Sequence, residues 1–222
     1  MRAALESLLR ARKLDGTLTL LPGAEALPER LASLGDAGLD EALGGGLRRG
    51  HLSEIAGPPS SGRSSVVIRA LAAAADRGEA IALVDASDTF DPSSAAAQGL
   101  ALTQLLWVRP STGLRDADAA RALKAFSLIL QAGGFGLVVL DLADLPAPAV
   151  RRFPWTTWMR VARIIEGSET AALLVGAERI ARSAGGVTIA LQSAPARWQG
   201  AAHRARLFTG IQPVSRIIRA RS

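Results

Sequence analysis

The stretch Gly57-Pro58-Pro59-Ser60-Ser61-Gly62-Arg63-Ser64-Ser65 follows an apolar run and precedes an alanine-rich one. It satisfies the phosphate-loop pattern G-x-x-x-x-G-K-S/T at every position except the lysine, which is Arg63. The pattern has a mechanism. Glycines let backbone N–H groups curl around phosphate oxygens, the following helix offers its positive N-terminus, and a Ser or Thr hydroxyl completes a Mg²⁺ shell. Lysine supplies a compact point charge, whereas arginine brings a longer planar fork, and the two are not interchangeable. Gly57, Ser61, Gly62, Arg63, Ser64 and Ser65 are therefore the candidate nucleotide contacts, with Ser64 in the Mg²⁺ position.

Working outward, His51 to Ile55 reads as a strand entering the loop, and Ser64 to Arg77 as a helix closed by Gly78. Further strands are expected at Ala80 to Asp85, Leu105 to Val108, Leu137 to Asp141 and Thr170 to Val175, with closing strands at Gly186 to Gln192 and Arg216 to Arg219. Helices are expected at Arg115 to Gln131 and Trp155 to Glu166; Trp155 and Trp158, following Arg151-Arg152 and Phe153, have the composition of a base-stacking pair, but the preferred reading is anchors to the sheet. This alternation predicts an α/β fold, a mostly parallel sheet flanked by helices. Leu137 to Asp141 is four apolar residues ending in a carboxylate, the arrangement that presents Asp141 to a Mg²⁺ shell. Upstream, Ala4, Leu5, Leu8 and Leu9 have helical i, i+3, i+4 spacing, Leu18 to Leu21 reads as a short strand, and Pro22 to Ser33 as a linker followed by a loose helical turn. Leu39 to Leu43 reads as a short helix broken by Gly44-Gly45-Gly46.

Of the 222 residues 49% are apolar, enough for one sizeable core. No apolar run reaches the length of a membrane span, and the charged start does not read as a signal peptide, so a cytoplasmic protein is expected. With no cysteine and only His51 and His203, disulfides, thiol chemistry and a Cys/His metal site are excluded. The net charge of +6 is uneven: from Arg151 onward twelve arginines face Glu166, Glu169 and Glu178, while residues 1–150 are slightly acidic. A basic end suits DNA or an acidic protein surface; Trp198, Arg204, Arg206, Arg216, Arg219 and Arg221 are the contact candidates there. The organisation expected is an N-terminal arm and linker (1–35), a core (36–195) and a basic extension (196–222).

The segment Gly38 to Gly50, then Leu52-Ser53-Glu54-Ile55-Ala56-Gly57, Leu83-Val84-Asp85-Ala86, Phe90-Asp91-Pro92 and the Asp141 strand together resemble the RecA family, over roughly residues 1 to 192. The resemblance implies a RecA-like P-loop core whose N-terminal helix, through Leu5, Leu8 and Leu9, contacts a neighbouring protomer. It also locates departures. Besides Arg63, the family's water-orienting glutamate is here Ser87, with Asp88 one residue displaced, and its sensor glutamine is replaced by Ala177 and Glu178. The two DNA-gripping loops would fall after Asp144, where Leu145 to Pro154 is short and proline-stiffened, and after Glu178, where the next strand follows closely.

Three altered positions predict a chain that does not hydrolyse ATP efficiently. Either Arg63 sits on the phosphates of a weakly held Mg²⁺–ATP, or it folds across the loop onto a carboxylate such as Asp141; weak or no nucleotide binding, and no resident cofactor, is the expectation. Within the family the chain is most similar to ImuA-type accessory proteins of damage-induced mutagenesis, whose degenerate site and arginine-rich end it shares. That resemblance implies contacts with RecA, an ImuB-like relative of Y-family polymerases and an error-prone replicative-type polymerase, with DNA contact through the basic end and no membrane. Two other readings stand beside it: a slow DNA-dependent ATPase using Asp88 or Glu178 as base, and a cell-division inhibitor on a shortened core.

Overall fold

Runs such as Leu137-Val138-Val139-Leu140 have no polar face, so they are stable only where the sheet is covered on both sides. The computed structural model shows that arrangement; it describes residues 30–110, 115–181, 185–193, 196–200, 206–211 and 214–219. In chain order the elements are β1 (Leu31–Ala32), α1 (Ala37–Leu43), β2 (Leu47–Arg48), β3 (Leu52–Ala56), α2 (Arg63–Asp76), β4 (Ile81–Asp85), α3 (Pro92–Ala97), β5 (Leu105–Val108), α4 (Arg115–Ala132) and β6 (Leu137–Asp141). There follow α5 (Ala147–Arg151), α6 (Trp155–Ile165), β7 (Ala171–Gly176), β8 (Gly185–Gln192), β9 (Ala196–Gln199), β10 (Leu207–Ile211) and β11 (Val214–Arg219).

The main sheet has seven strands in the order β11-β8-β3-β7-β6-β4-β5. All pairings are parallel except the outermost, where β11 runs antiparallel to β8. Strand alternation divides the core into two layers. Leu83, Val139, Leu173 and Ile55 face α1 and α2, while Val84, Leu140, Leu174 and Leu52 face α4 and α6. Because β7 lies between β3 and β6, the phosphate-loop strand and the Asp141 strand are not neighbours. Their carboxyl ends open on the same side, where ligand crevices of open α/β sheets form.

Within the described residues the elements expected from sequence are present, with ends shifted by a few residues at most; the expected helix around Ala4 to Leu9 and strand Leu18 to Leu21 lie outside the described residues. Others were unforeseen. Leu31–Ala32 pairs with Leu47–Arg48, and Leu34 is buried in the core, so what reads as linker and helical turn up to Ser33 ends inside the domain. At the other end β11 joins the main sheet, so the sheet takes in residues beyond the 36–195 span. The proline-stiffened segment after Asp144 contains a helical turn, α5, because a proline fits the first helical turn without sacrificing a hydrogen bond. Strands β9 and β10 pair antiparallel where only a basic tail was expected.

The tryptophans of α6 separate. Trp158 is fully buried, edge-on to Phe153 with ring centroids 5.9 Å apart, whereas Trp155 remains 55% exposed. Residues i and i+3 differ by about 60° around a helix, so at the edge of a buried arc one can anchor while the other looks outward. Trp158→Ala should therefore cost about 3–5 kcal/mol, and Trp155→Ala within about 0.5 kcal/mol of nothing, read as urea midpoints. Equal losses would show that both rings hold the helix.

Candidate functional site

Ala56 hands the chain from β3 to the loop, and the backbone geometry there depends on glycine. A Cβ on Gly57 would lie 2.6 Å from Ser61 Oγ and 2.9 Å from the Leu191 carbonyl oxygen. Ser60 takes a left-handed conformation at φ 61°, and Gly62 caps α2 at φ 91°. The Gly57 N–H donates to Gly176 O (3.2 Å) and the Ser61 N–H to Pro58 O (3.3 Å), tying the loop to β7 and to itself. The sequence-predicted residues Gly57, Ser61, Gly62, Arg63, Ser64 and Ser65 are thus gathered at the amino end of α2, with Ser64 and Ser65 exposed.

Arg63 is only 9% exposed in its side chain and donates from Nη2 to Asp144 Oδ1 at 3.3 Å. The carboxylate it reaches is Asp144 instead of Asp141, because the chain turns after β6 and brings the later residue over the loop. Thr89 Oγ1 donates to the other oxygen of Asp144 at 3.5 Å. The contact is one-pronged and long for a charge-assisted bond, which normally measures about 2.7–2.9 Å. Arg63 Nη1 and Ser61 Oγ are buried without a partner, and an unpaired buried donor costs about 1–3 kcal/mol. Arginine is therefore accommodated here with an unmet hydrogen-bonding demand.

Asp85 and Asp141 end adjacent strands in direct register. Asp85, 2% exposed, accepts from the backbone N–H groups of Ser87 (3.3 Å), Thr89 (3.2 Å) and Phe90 (2.9 Å), so it organises the turn after β4. Asp141 accepts from the Ala143 N–H at 2.9 Å. Desolvation, with a smaller contribution from the charges of Asp85 and Asp144, pushes its carboxyl up to about 6, opposed by Ala143 and Arg63.

The positions at which the resemblance implies the water-orienting and sensor residues hold other side chains. Ser87 Oγ is buried and unpartnered. Asp88, at φ 55°, is forked onto Arg109 (2.7 and 2.9 Å), and Arg109 in turn lies 4.4 Å over the Trp107 ring. Glu178 is forked onto Arg151 (2.6 and 2.8 Å). Both carboxyls are held below the usual range, chiefly by hydrogen bonds from their arginines. On β3, Glu54 is fully buried; it accepts from Thr188 Oγ1 (3.2 Å) and from the N–H groups of Ala181 (3.0 Å) and Ile180, and burial raises its carboxyl. It links the loop strand to the segment after β7.

Asp144, Arg109, Arg151 and Glu54 were not singled out from sequence. Asp144 carried a signal, a second acid one turn beyond a strand end; the arginine forks carried none, since they join residues 21 and 27 positions apart. Leu5, Leu8, Leu9, Arg204 and Arg221 lie outside the described residues. Arg206 and Arg216 are exposed, and of Trp198 and Arg219 only the backbone placement in β9 and β11 is described.

Strand, glycine loop and helix, with a carboxylate two strands away, define a P-loop nucleoside-triphosphatase type of domain. Residues 7–149 match the RecA N-terminal domain, and the chain belongs to that family. It is 36% identical over 144 residues to Protein RecA of Brevibacillus brevis, covering 63% of this chain and 39% of that one. To Protein RecA of Ruegeria pomeroyi it is 37% identical over 128 residues, covering 57% and 35%. The chain thus spans about two fifths or less of these relatives. In fold it is similar to the RadB recombinase, with a TM-score of 0.54, 18% identity, and coverage of 73% of this chain and 83% of that one. Among the described residues no helix is long and apolar enough to cross a membrane.

The donor set of the loop fits a phosphate group in part. Ser61 Oγ and Arg63 Nη1 are donors without partners, and Ser64 and Asp141 are the side chains that would meet Mg²⁺. Nucleotide would have to displace the Arg63–Asp144 contact. Titration calorimetry with Mg²⁺–ATP should give little or no heat for the wild type, and binding in the micromolar to millimolar range for Arg63→Lys. Tight wild-type binding would mean that Arg63 already serves the phosphates.

Asp141 also makes a pH prediction. Its folded carboxyl is raised, so between about 4, its ordinary range, and about 6 the folded state holds more protons than the unfolded chain. This contribution is fully present below that window and is lost as pH rises through it. Glu54 has the same sign and stays in both proteins. Asp141→Asn should therefore gain up to about 3 kcal/mol over wild type at neutral pH and nothing at about pH 4, by urea unfolding. Parallel stability curves would remove the argument.

Proposed function

We propose that this chain is a RecA-type accessory protein that does not turn over ATP and acts in DNA repair, within damage-induced translesion synthesis. The observation that carries the reading is the state of the carboxylates nearest the water-activating positions. A general base must be free to take a proton, with a pKa near the working pH. Asp88 and Glu178 are instead each locked in a two-pronged arginine pair and pushed to lower pKa. Ser87 offers no base. Removal of one positioning group typically costs about 10²–10³ in rate, and here several are replaced together.

Work of this kind rests on protein contacts. The kinship with RecA suggests a neighbouring RecA protomer as one partner, engaged through the N-terminal segment bearing Leu5, Leu8 and Leu9. The basic C-terminal region, with Arg206 and Arg216 exposed, suits an ImuB-like polymerase-related partner, an error-prone polymerase or DNA. A second reading, a slow ATPase, draws on one observation, the partnerless donors of the loop.

Immobilised RecA should retain the full chain at moderate salt and lose it when residues 1–14 are removed. Retention unchanged by that deletion would overturn the arm-mediated contact. ATP turnover with single-stranded DNA should stay at the buffer background. Turnover abolished by Asp141→Ala would establish the slow ATPase instead.

A further inference from the structure

On the solvent side of α6 an apolar stripe is bordered by cations. At 100° per residue, Trp155, Met159, Arg163, Thr156 and Arg160 fall on one continuous arc, opposite the buried Trp158, Val161 and Ile165. Trp155 is 55% and Met159 39% exposed, and Arg160 and Arg163 are exposed beside them. Beside Trp155 the chain ends of α5 and β7 enclose a hollow of about 440 Å³, lined by Val150, Arg151, Phe153, Trp155, Glu178, Arg179 and Ile180.

We propose that the Trp155–Met159 stripe and the adjoining hollow form a docking surface for an acidic peptide segment of a partner protein, one that carries a bulky apolar side chain between carboxylates. The apolar side chain would enter the hollow against Val150, Phe153 and Ile180, and its flanking carboxylates would meet Arg160, Arg163 and Arg179.

Three observations favour this ligand. The first is charge: the exposed arc of α6 carries Arg160 and Arg163 with no acid among residues 155–165, and arginine forks suit carboxylates. The second is shape. A pocketed aromatic beside arginines is the composition of protein-interaction hot spots. The third argues against a nucleic-acid strand. Such a strand needs successive stacking platforms along a basic groove. Here Phe153 is already engaged edge-on with Trp158. Arg151 is committed to Glu178 in the hollow's wall, so the hollow itself suits an apolar side chain and not a charged group. The arginine fork has a structural part as well: it joins α5 to the segment after β7, and so holds the hollow open.

The inference rests on the reading that the chain works through protein contacts, but it has its own test. A fluorescein-labelled peptide of about ten residues, glutamates around a central Leu-Phe pair, would be titrated with the full chain at about 0.15 M salt. A second peptide would carry two serines in place of the apolar pair. An oligothymidylate of equal charge is the third probe. The Leu-Phe peptide should bind about tenfold or more tighter than the serine peptide. Binding should weaken about tenfold in Trp155→Ala and about threefold or more in Arg163→Glu. Because both residues are exposed, thermal melts of the variants should match wild type, which separates lost contact from lost fold.

Equal affinity for the two peptides would overturn the proposal and leave only charge attraction. Tighter binding of the oligothymidylate, lost in the same variants, would overturn it in favour of a nucleic-acid surface. Unchanged binding in both variants would place the contact elsewhere. None of these outcomes depends on RecA, so the surface can fail while the accessory reading stands, and the reverse.

Discussion

The main constraint is that β3, β4, β6 and β7 are apolar on both faces and so must be covered on both faces. Their backbone groups are then satisfied only by neighbouring strands, and nothing polar is tolerated until the chain reaches a strand end. In a parallel sheet those ends lie together. Gly57, Asp85, Asp141 and Gly176 meet along one edge because the ladder leaves them no alternative. The exceptions are Ser53 and Glu54 in β3: the Val187 N–H donates to Ser53 Oγ, and Thr188 and the backbone after β7 hydrogen-bond the Glu54 carboxylate.

That edge carries Asp85, Asp88, Asp141, Asp144 and Glu178, and the chain handles them in three ways. Asp85 is surrounded by backbone N–H groups, which satisfy both its carboxyl oxygens. Asp88, Asp144 and Glu178 each take an arginine. Asp141 is buried with a single backbone donor, so desolvation, helped by its two acidic neighbours, pushes its carboxyl up to about 6. The substitution of Arg63 for lysine belongs to this pattern. Its longer reach lets it extend past Asp141 to Asp144, and its second nitrogen is left without a partner as a consequence. A charge that would meet phosphate is turned partly inward.

Much of this was legible in the sequence. The phosphate-loop pattern, Leu137 to Asp141 and the alanine-rich α2 carry periodicity and punctuation in a few contiguous residues, and local signals of that kind survive folding. Strands β5 and β6 were placed to the residue. What could not be read depends on pairing at a distance. The two-residue strand Leu31–Ala32 has no periodicity and exists because Leu47–Arg48 lies opposite. The β9–β10 pairing was hidden by its arginines, which spoke of charge before conformation. The difference between Trp155 and Trp158 is a matter of helix phase, fixed only once Phe153 and the sheet choose which ring to cover.

Under the accessory reading proposed above, family and activity part company for a physical reason. The residues that build a RecA-type core lie along whole strands and helices, where substitution of one apolar residue for another of similar size is cheap. The residues that move a proton or orient a water act at single positions, and nothing in the packing compensates for their replacement. A chain can therefore keep the sheet order, the glycine loop and the cap of α2 while Ser87, Asp88 and Glu178 stand where hydrolysis would need a free base. The arginines paired with Asp88 and Glu178 also join elements of the fold. Arg109 closes β4 and β5 over the Trp107 ring, and Arg151 fastens α5 to the end of β7. Both carboxylates thus have a structural part, and on the proposed reading a hydrolysing variant would need both attachments undone as well as a lysine at position 63.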